Sequence, residues 1–246
     1  MNESGHNRLY KAGAIALLVG SVLGFFLFFM SLRGVQYSLG VPRDPASQLQ
    51  LLSNHSLFYA THSTLWITDD LITIIPAIAI YFVLRRINKA AAFIGLVISL
   101  AYVPYDIFVS DANSIHLNIL AQAYTAATSP ALQAHYVAAA SSGFAALPLE
   151  AALSYAIGSL GYLIYSALMR SSFGKATAVL GIVVNAAAIL GAAGTLVPAS
   201  GISSIFGLLE LFAVPLTAIW TIVVGIKLYR FPRRSNTLSN NSILDS

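Results

Sequence analysis

The sequence predicts an all-α, polytopic integral membrane protein with six transmembrane helices, and three observations predict it. Charged residues make up only 9% of the 246-residue chain, whereas soluble domains carry about 25%. With a mean hydropathy of +0.77, the natural solvent of such a chain is lipid rather than water. Six apolar segments each approach the ~20 residues that cross a hydrocarbon core, and Lys and Arg gather at their ends, as topology determinants do.

The elements follow in order. Residues 1–11 form an N-terminal tail carrying Arg8 and Lys11, and the first span runs over about 12–32. Its apolar run is about twice a signal-peptide core and lacks a small-x-small cleavage site, so the helix is expected to be retained. The second span covers about 65–84, with a start as early as Leu57 allowed, and the third covers 90–109. The fourth, fifth and sixth cover 149–168, 176–197 and 204–228, which makes 12–230 one membrane domain. The Ser/Asn-rich tail within 231–246 has too little apolar character to pack and is expected to be disordered.

Charge sets the orientation. Arg8, Lys11, Arg85, Arg86, Lys89, Arg170, Lys175, Lys227, Arg230, Arg233 and Arg234 fall on one side, and only Arg33 and Arg43 on the other. The positive-inside rule puts the richer side, with both termini, in the cytoplasm of a plasma-membrane protein. Residues 33–56 then form a polar outer loop, and residues 110–148 an Ala-rich outer segment without Lys or Arg. The latter is expected to be two short helices, broken at Ser129-Pro130, the first continuing the third span.

Membrane helices associate where small residues let backbones approach. Ala16, Gly20 and Gly24 supply such a stripe in the first span; Ala187, Gly191 and Thr195 supply one in the fifth, which is expected to be central. Phe25, Phe26, Phe28 and Phe29 include lipid-facing positions, and Trp66 and Trp220 serve as interface anchors or packing. Asn185, near the middle of the fifth span, is expected to bond across helices.

Function is sought among the acids. Asp70 lies 15 residues from Arg85, about 22 Å up a helix. Asp106 and Glu210 are each 17 residues from Lys89 and Lys227, about 25 Å, and Glu150 is 20 from Arg170, about 30 Å. With Asp69, these acids share the outer third of a core about 30 Å thick, and His62 lies a turn or two above Asp69. A carboxylate near mid-membrane costs roughly 2.5–3.5 kcal/mol unless it is protonated, paired, hydrated or bound to a cation. One reading is therefore an outward-facing acidic cavity suited to protons or cations; the other is acids that touch outer water or are structurally paired. Pro76, Pro104, Pro148 and Pro215 each lie within six residues of an acid, and each is a place where a helix can break beside a charge.

Other chemistries find little support. There are no cysteines, which removes disulfides, thiolate metal sites and thiol nucleophiles. No phosphate-binding glycine loop, HExxH motif or basic nucleic-acid cluster occurs. Ser141-Ser142-Gly143 lacks the strand–turn–helix context of a hydrolase elbow. Nothing identifies a cofactor or an enzymatic centre.

The order of elements resembles a family of six-helix bacterial and archaeal membrane proteins, domain of unknown function 4386. Asp69 or Asp70 precedes Tyr81-Phe82-Val83-Leu84-Arg85, Asp106 comes late in the third span, and Gln122-Ala123-Tyr124 follows in the outer segment. Gly158, Gly161, Tyr162 and Tyr165 mark the fourth span, and Glu210, Trp220 and Gly225 the last. The resemblance runs from about residue 10 to 230. It departs at Tyr102 and Pro104, where the family often has Arg, and at Phe173-Gly174-Lys175, where it often has a Pro-Arg-Trp-like turn. It implies fold and location, not chemistry.

Three functions follow as expectations. The first is a small carrier or binding protein using Asp69, Asp70, Asp106, Glu150, Glu210 and His62 around a proton- or cation-linked cavity. The second is an accessory subunit of a larger membrane complex such as a respiratory assembly, with other membrane subunits or further copies of the chain as partners. The third is an intramembrane metal-dependent hydrolase, which needs at least three ligands around one point.

Overall fold

The computed structural model describes residues 3–31, 44–194, 209 and 212–231. Arg33, Arg43, Thr195, the expected start of the sixth span including Glu210, and the expected tail with Arg233 and Arg234 lie outside the described residues. Among the described residues the regular structure is entirely helical: α1 (Glu3–Ser31), α2 (Pro45–Asn54), α3 (Ser56–Leu84), α4 (Lys89–Tyr105), α5 (Ala112–Ala126), α6 (Pro130–Leu168) and α7 (Lys175–Gly194). A last helix, α8, covers Phe212–Phe231. A π-helical segment, Asp106–Asp111, joins α4 to α5 without a break. Six helices are long and apolar enough to cross a membrane: α1, α3, α4 with α5, α6, α7 and α8. The chain is thus a multi-pass membrane protein by length and composition.

Several expectations need correction. The polar loop read over residues 33–56 contains α2, whose start combines an acceptor at the N-cap with proline in the first turn. Asp44 Oδ1 accepts from the Ser47 backbone N–H at 2.9 Å, and Leu49 and Leu52 are buried. Hydrogen bonds from the Ser47 hydroxyl and then the Ser47 backbone N–H hold the Asp44 carboxyl below its usual range. A depressed acid stabilises its cap above its unfolded pKa and loses that contribution as pH falls through the folded value. Asp44→Ala is therefore expected to speed amide exchange over residues 46–49 above pH 4, with no change in the global unfolding midpoint. The difference between variant and parent should vanish in stronger acid; a uniform rise across the whole chain would contradict a local cap.

The sequence left open whether the prolines break their helices. Pro76, Pro104, Pro148 and Pro215 all sit inside helices that continue past them. A membrane helix tolerates the missing bond where neighbours and local π adjustment re-satisfy the backbone. Only beside Pro104 does the winding change, at Asp106–Asp111. The expected break does occur at Ser129, whose Oγ caps α6 by accepting from the Leu132 N–H at 3.3 Å. The following helix then runs on for 39 residues through the fourth span, about 58 Å.

The spans form a ring. The pairings α1 with α3, α4 with α6, and α6 with α7 are the most extensive, and α3 also packs on α4. Helix α8 closes the circle between α7 and α1. Trp220, fully buried, donates from Nε1 to the Thr177 carbonyl at 3.0 Å. Ser21 Oγ of α1 lies 2.7 Å from Thr221 Oγ1 of α8. Helix α7 is the most buried span, but it takes a place in the ring and not its axis. Asn185 donates within its own helix, to Gly181 O at 2.7 Å, where a bond across helices was expected.

Two apolar cores stabilise the bundle. One joins Tyr10, Leu84, Ala92, Met169, Phe173, Trp220 and Leu228 near the basic helix ends. Here Lys227 Nζ donates to Phe173 O and Thr177 Oγ1, both at 2.6 Å, and Arg85 lies 4.3 Å over the Phe82 ring. The turn from α6 to α7 uses Gly174 at φ +89°, a conformation glycine adopts without steric cost. The other core, at the opposite end, packs Leu49 and Leu52 of α2 with Leu117, Ala121, Ala140 and Leu147. Phe25, Phe26 and Phe29 are exposed on the bundle's outside, as lipid-facing residues would be.

Candidate functional site

Between the two cores α3 and α6 each carry a short polar stretch. On α3 the stretch is Trp66, Asp69, Asp70 and Thr73, spaced so that all lie on one face. On α6 it is Ser154, Tyr155, Ser159 and Tyr162, again at one-turn intervals around Gly158. These faces line a cavity of about 200 Å³ to which all six spans contribute, with Asp106 from the π segment and Asn185 from α7. Among the described residues no Lys or Arg lines it.

Asp70 is the most enclosed of the acids, only 2% exposed, and its Oδ2 has no hydrogen-bond partner. Tyr102 stands within hydrogen-bonding reach of this carboxylate. Its hydroxyl also lies 2.7 Å from Thr73 Oγ1, which in turn donates to the Asp70 carbonyl at 2.7 Å. With the Thr73 proton committed to that carbonyl, the Tyr102 hydroxyl is the donor to Thr73 Oγ1. Asp106 reaches Ser154, Ser110 and Asp70, so acids of two different spans meet.

The small-residue stripe of the first span has a second use here. A Cβ on Gly20 would lie 3.2 Å from Asp69 Oδ1, and one on Gly24 would lie 3.5 Å from Asp69 Oδ2. The glycines therefore make room for a carboxylate as well as for a helix. Asp69 Oδ1 is a second buried oxygen without a hydrogen-bond partner.

The structure divides the expected site residues. Asp69, Asp70 and Asp106 share the cavity. Glu150 does not line it; its Oε2 accepts from Asn113 Nδ2 at 2.7 Å, which is the structurally paired reading. His62 stands one step behind the wall, accepting from Trp66 Nε1 at 3.0 Å and stacking on Phe58, and so holds the indole that lines the cavity. Glu210 lies outside the described residues. His55, His116 and His135 are exposed, and among the described residues no group of three or more His, Asp or Glu is placed to hold a metal ion.

Sequence reasoning passed over Ser154, Ser159 and Thr73, although hydroxyls at one-turn spacing in apolar helices are a readable signal. It also passed over Asp111, which is 6% exposed with Oδ2 unpartnered, at the end of the π segment that begins with Asp106. A π turn adds a residue to the helical circuit and is frequent where function reshapes a helix.

Compared with protein-family models, with curated proteins and with solved structures, the chain matches none.

Proposed function

We propose that this chain is a small carrier or binding protein of the plasma membrane, with an acidic cavity that opens outward and exchanges protons or cations. The observation that carries the reading is the meeting of Asp69, Asp70 and Asp106 in one cavity ringed by all six spans, with no basic residue among the described residues of its lining. Uncompensated carboxylates within a membrane are costly, and ionisable residues kept there usually mark ion or substrate paths. The gathering of Arg8, Arg85, Lys89, Arg170, Lys175 and Lys227 at one end of the bundle supports cytoplasmic termini. On that orientation the cavity and the core containing α2 lie toward the outside. The family resemblance is kept within this proposal, as kinship of fold.

Thermal unfolding of the detergent-purified protein across pH 4 to 8, with and without sodium, magnesium, calcium, manganese or zinc, tests the reading. A cation present at tenfold its dissociation constant stabilises by about 1.4 kcal/mol, or roughly 3–6 °C for a chain of this size. Asp70→Asn is expected to remove most of any ion-specific or pH-linked shift. A midpoint flat in both pH and ions would sink the proposal and direct attention to a stable membrane partner.

A further inference from the structure

The cavity has features that a bare proton or metal ion does not require. Its walls are mostly apolar, and Trp66, Tyr102 and Tyr162 present aromatic surface to the same space as the acids. About 200 Å³ is the share of roughly six or seven liquid waters. That is far more than a dehydrated metal ion fills, and less than the 300 Å³ or more of a drug-sized pocket. Hard divalent cations take six or more oxygen ligands, several of them carboxylate, and among the described residues no group of three or more His, Asp or Glu is placed to hold a metal ion. The carboxylates meanwhile present acceptors that lack donors. Asp70 Oδ2 is unpartnered on a side chain 98% buried and lining the cavity, and Asp69 Oδ1, on a half-buried side chain of the same lining, is a second buried oxygen without a partner.

A ligand that satisfies all of this carries one positive charge, two or three N–H donors at one end, and a short hydrocarbon or aromatic body. We propose that the cavity binds a small protonated amine, its ammonium between Asp69, Asp70 and Asp106 and its body against Trp66, Tyr102 and Tyr162. The ammonium supplies hydrogen bonds to the orphaned oxygens, and each charge-assisted bond is about twice as strong as a neutral one. The aromatic faces add cation–π attraction in a desolvated site. A quaternary ammonium keeps the second contribution and loses the first, which separates the two recognition modes. This inference rests on the cation-binding reading above and narrows it to a ligand class.

The test uses the full chain in detergent at pH 7 with benzylammonium as probe. Benzyl alcohol serves as the uncharged counterpart, benzyltrimethylammonium as the charged counterpart without N–H groups, and sodium chloride as the ionic control. Benzylammonium is expected to raise the unfolding midpoint saturably, at concentrations at least tenfold lower than either counterpart. Asp70→Asn, or Asp69→Asn if the first variant does not fold, is expected to weaken that response at least tenfold. Equal potency of benzyl alcohol would overturn the inference in favour of a merely apolar pocket. Equal potency of benzyltrimethylammonium would overturn the role of the orphaned oxygens. A response to inorganic cations or to pH alone would overturn the amine assignment while leaving the cation reading intact; silence in every arm would overturn both.

Discussion

Replacing Gly161 by leucine is expected to cost about 3 kcal/mol or more, lowering the unfolding midpoint by roughly 6–12 °C. A Cβ at this position would lie 2.6 Å from the Ser99 backbone nitrogen and 3.0 Å from Gly95 O. Those neighbours are main chain, which cannot rotate aside as a side chain can. From the other side, a Cβ on Gly95 would meet the Tyr165 ring at 2.9 Å and Gly161 O at 3.4 Å. Helices α4 and α6 therefore approach along a seam that only hydrogen atoms fit, the means by which membrane helices gain packing energy without a hydrophobic driving force. Gly161→Ala should fall between parent and leucine variant. Size-exclusion profiles and thermal unfolding in detergent read the series, and a leucine variant as stable and monodisperse as the parent would rule out this close crossing.

Gly20→Leu is expected to leave the bundle folded while weakening any cation or amine response at least about tenfold, the equivalent of 1.4 kcal/mol. The difference from Gly161 lies in what surrounds the new side chain. A Cβ at Gly20 would meet Asp69 Oδ1 at 3.2 Å and the Ile72 Cγ2 atom at 3.7 Å, both side-chain atoms, and Gly20 lines the cavity. The leucine then fills space beside Asp69 and covers an oxygen that otherwise lacks a donor. Val22→Leu, on the same helix but 69% exposed, is the matched control and should respond as the parent does. An unchanged response in Gly20→Leu would separate the acidic cavity from the site of binding.

The sequence by itself determined the class of the molecule, because the cost of placing charge in lipid acts on composition and needs no knowledge of neighbours. It determined the number of spans, the break at Ser129-Pro130, and the common height of Asp70 and Asp106, since rise per residue is a property of one helix. It could also have yielded α2, whose Asp44-Pro45 start is a local signal. Only the tertiary structure decided which of these acids belong together. Glu150 stands at a comparable height, yet it turns to Asn113, while Asp106 turns to Asp70 and Ser154. Asp111, Ser159 and the second role of Gly20 emerged in the same way. Height along a helix is set by counting, but rotation about its axis is set by which small residues its neighbours offer. Those contacts join residues far apart in the chain, such as Gly20 with Asp69 and Gly161 with Ser99, and no local pattern records them.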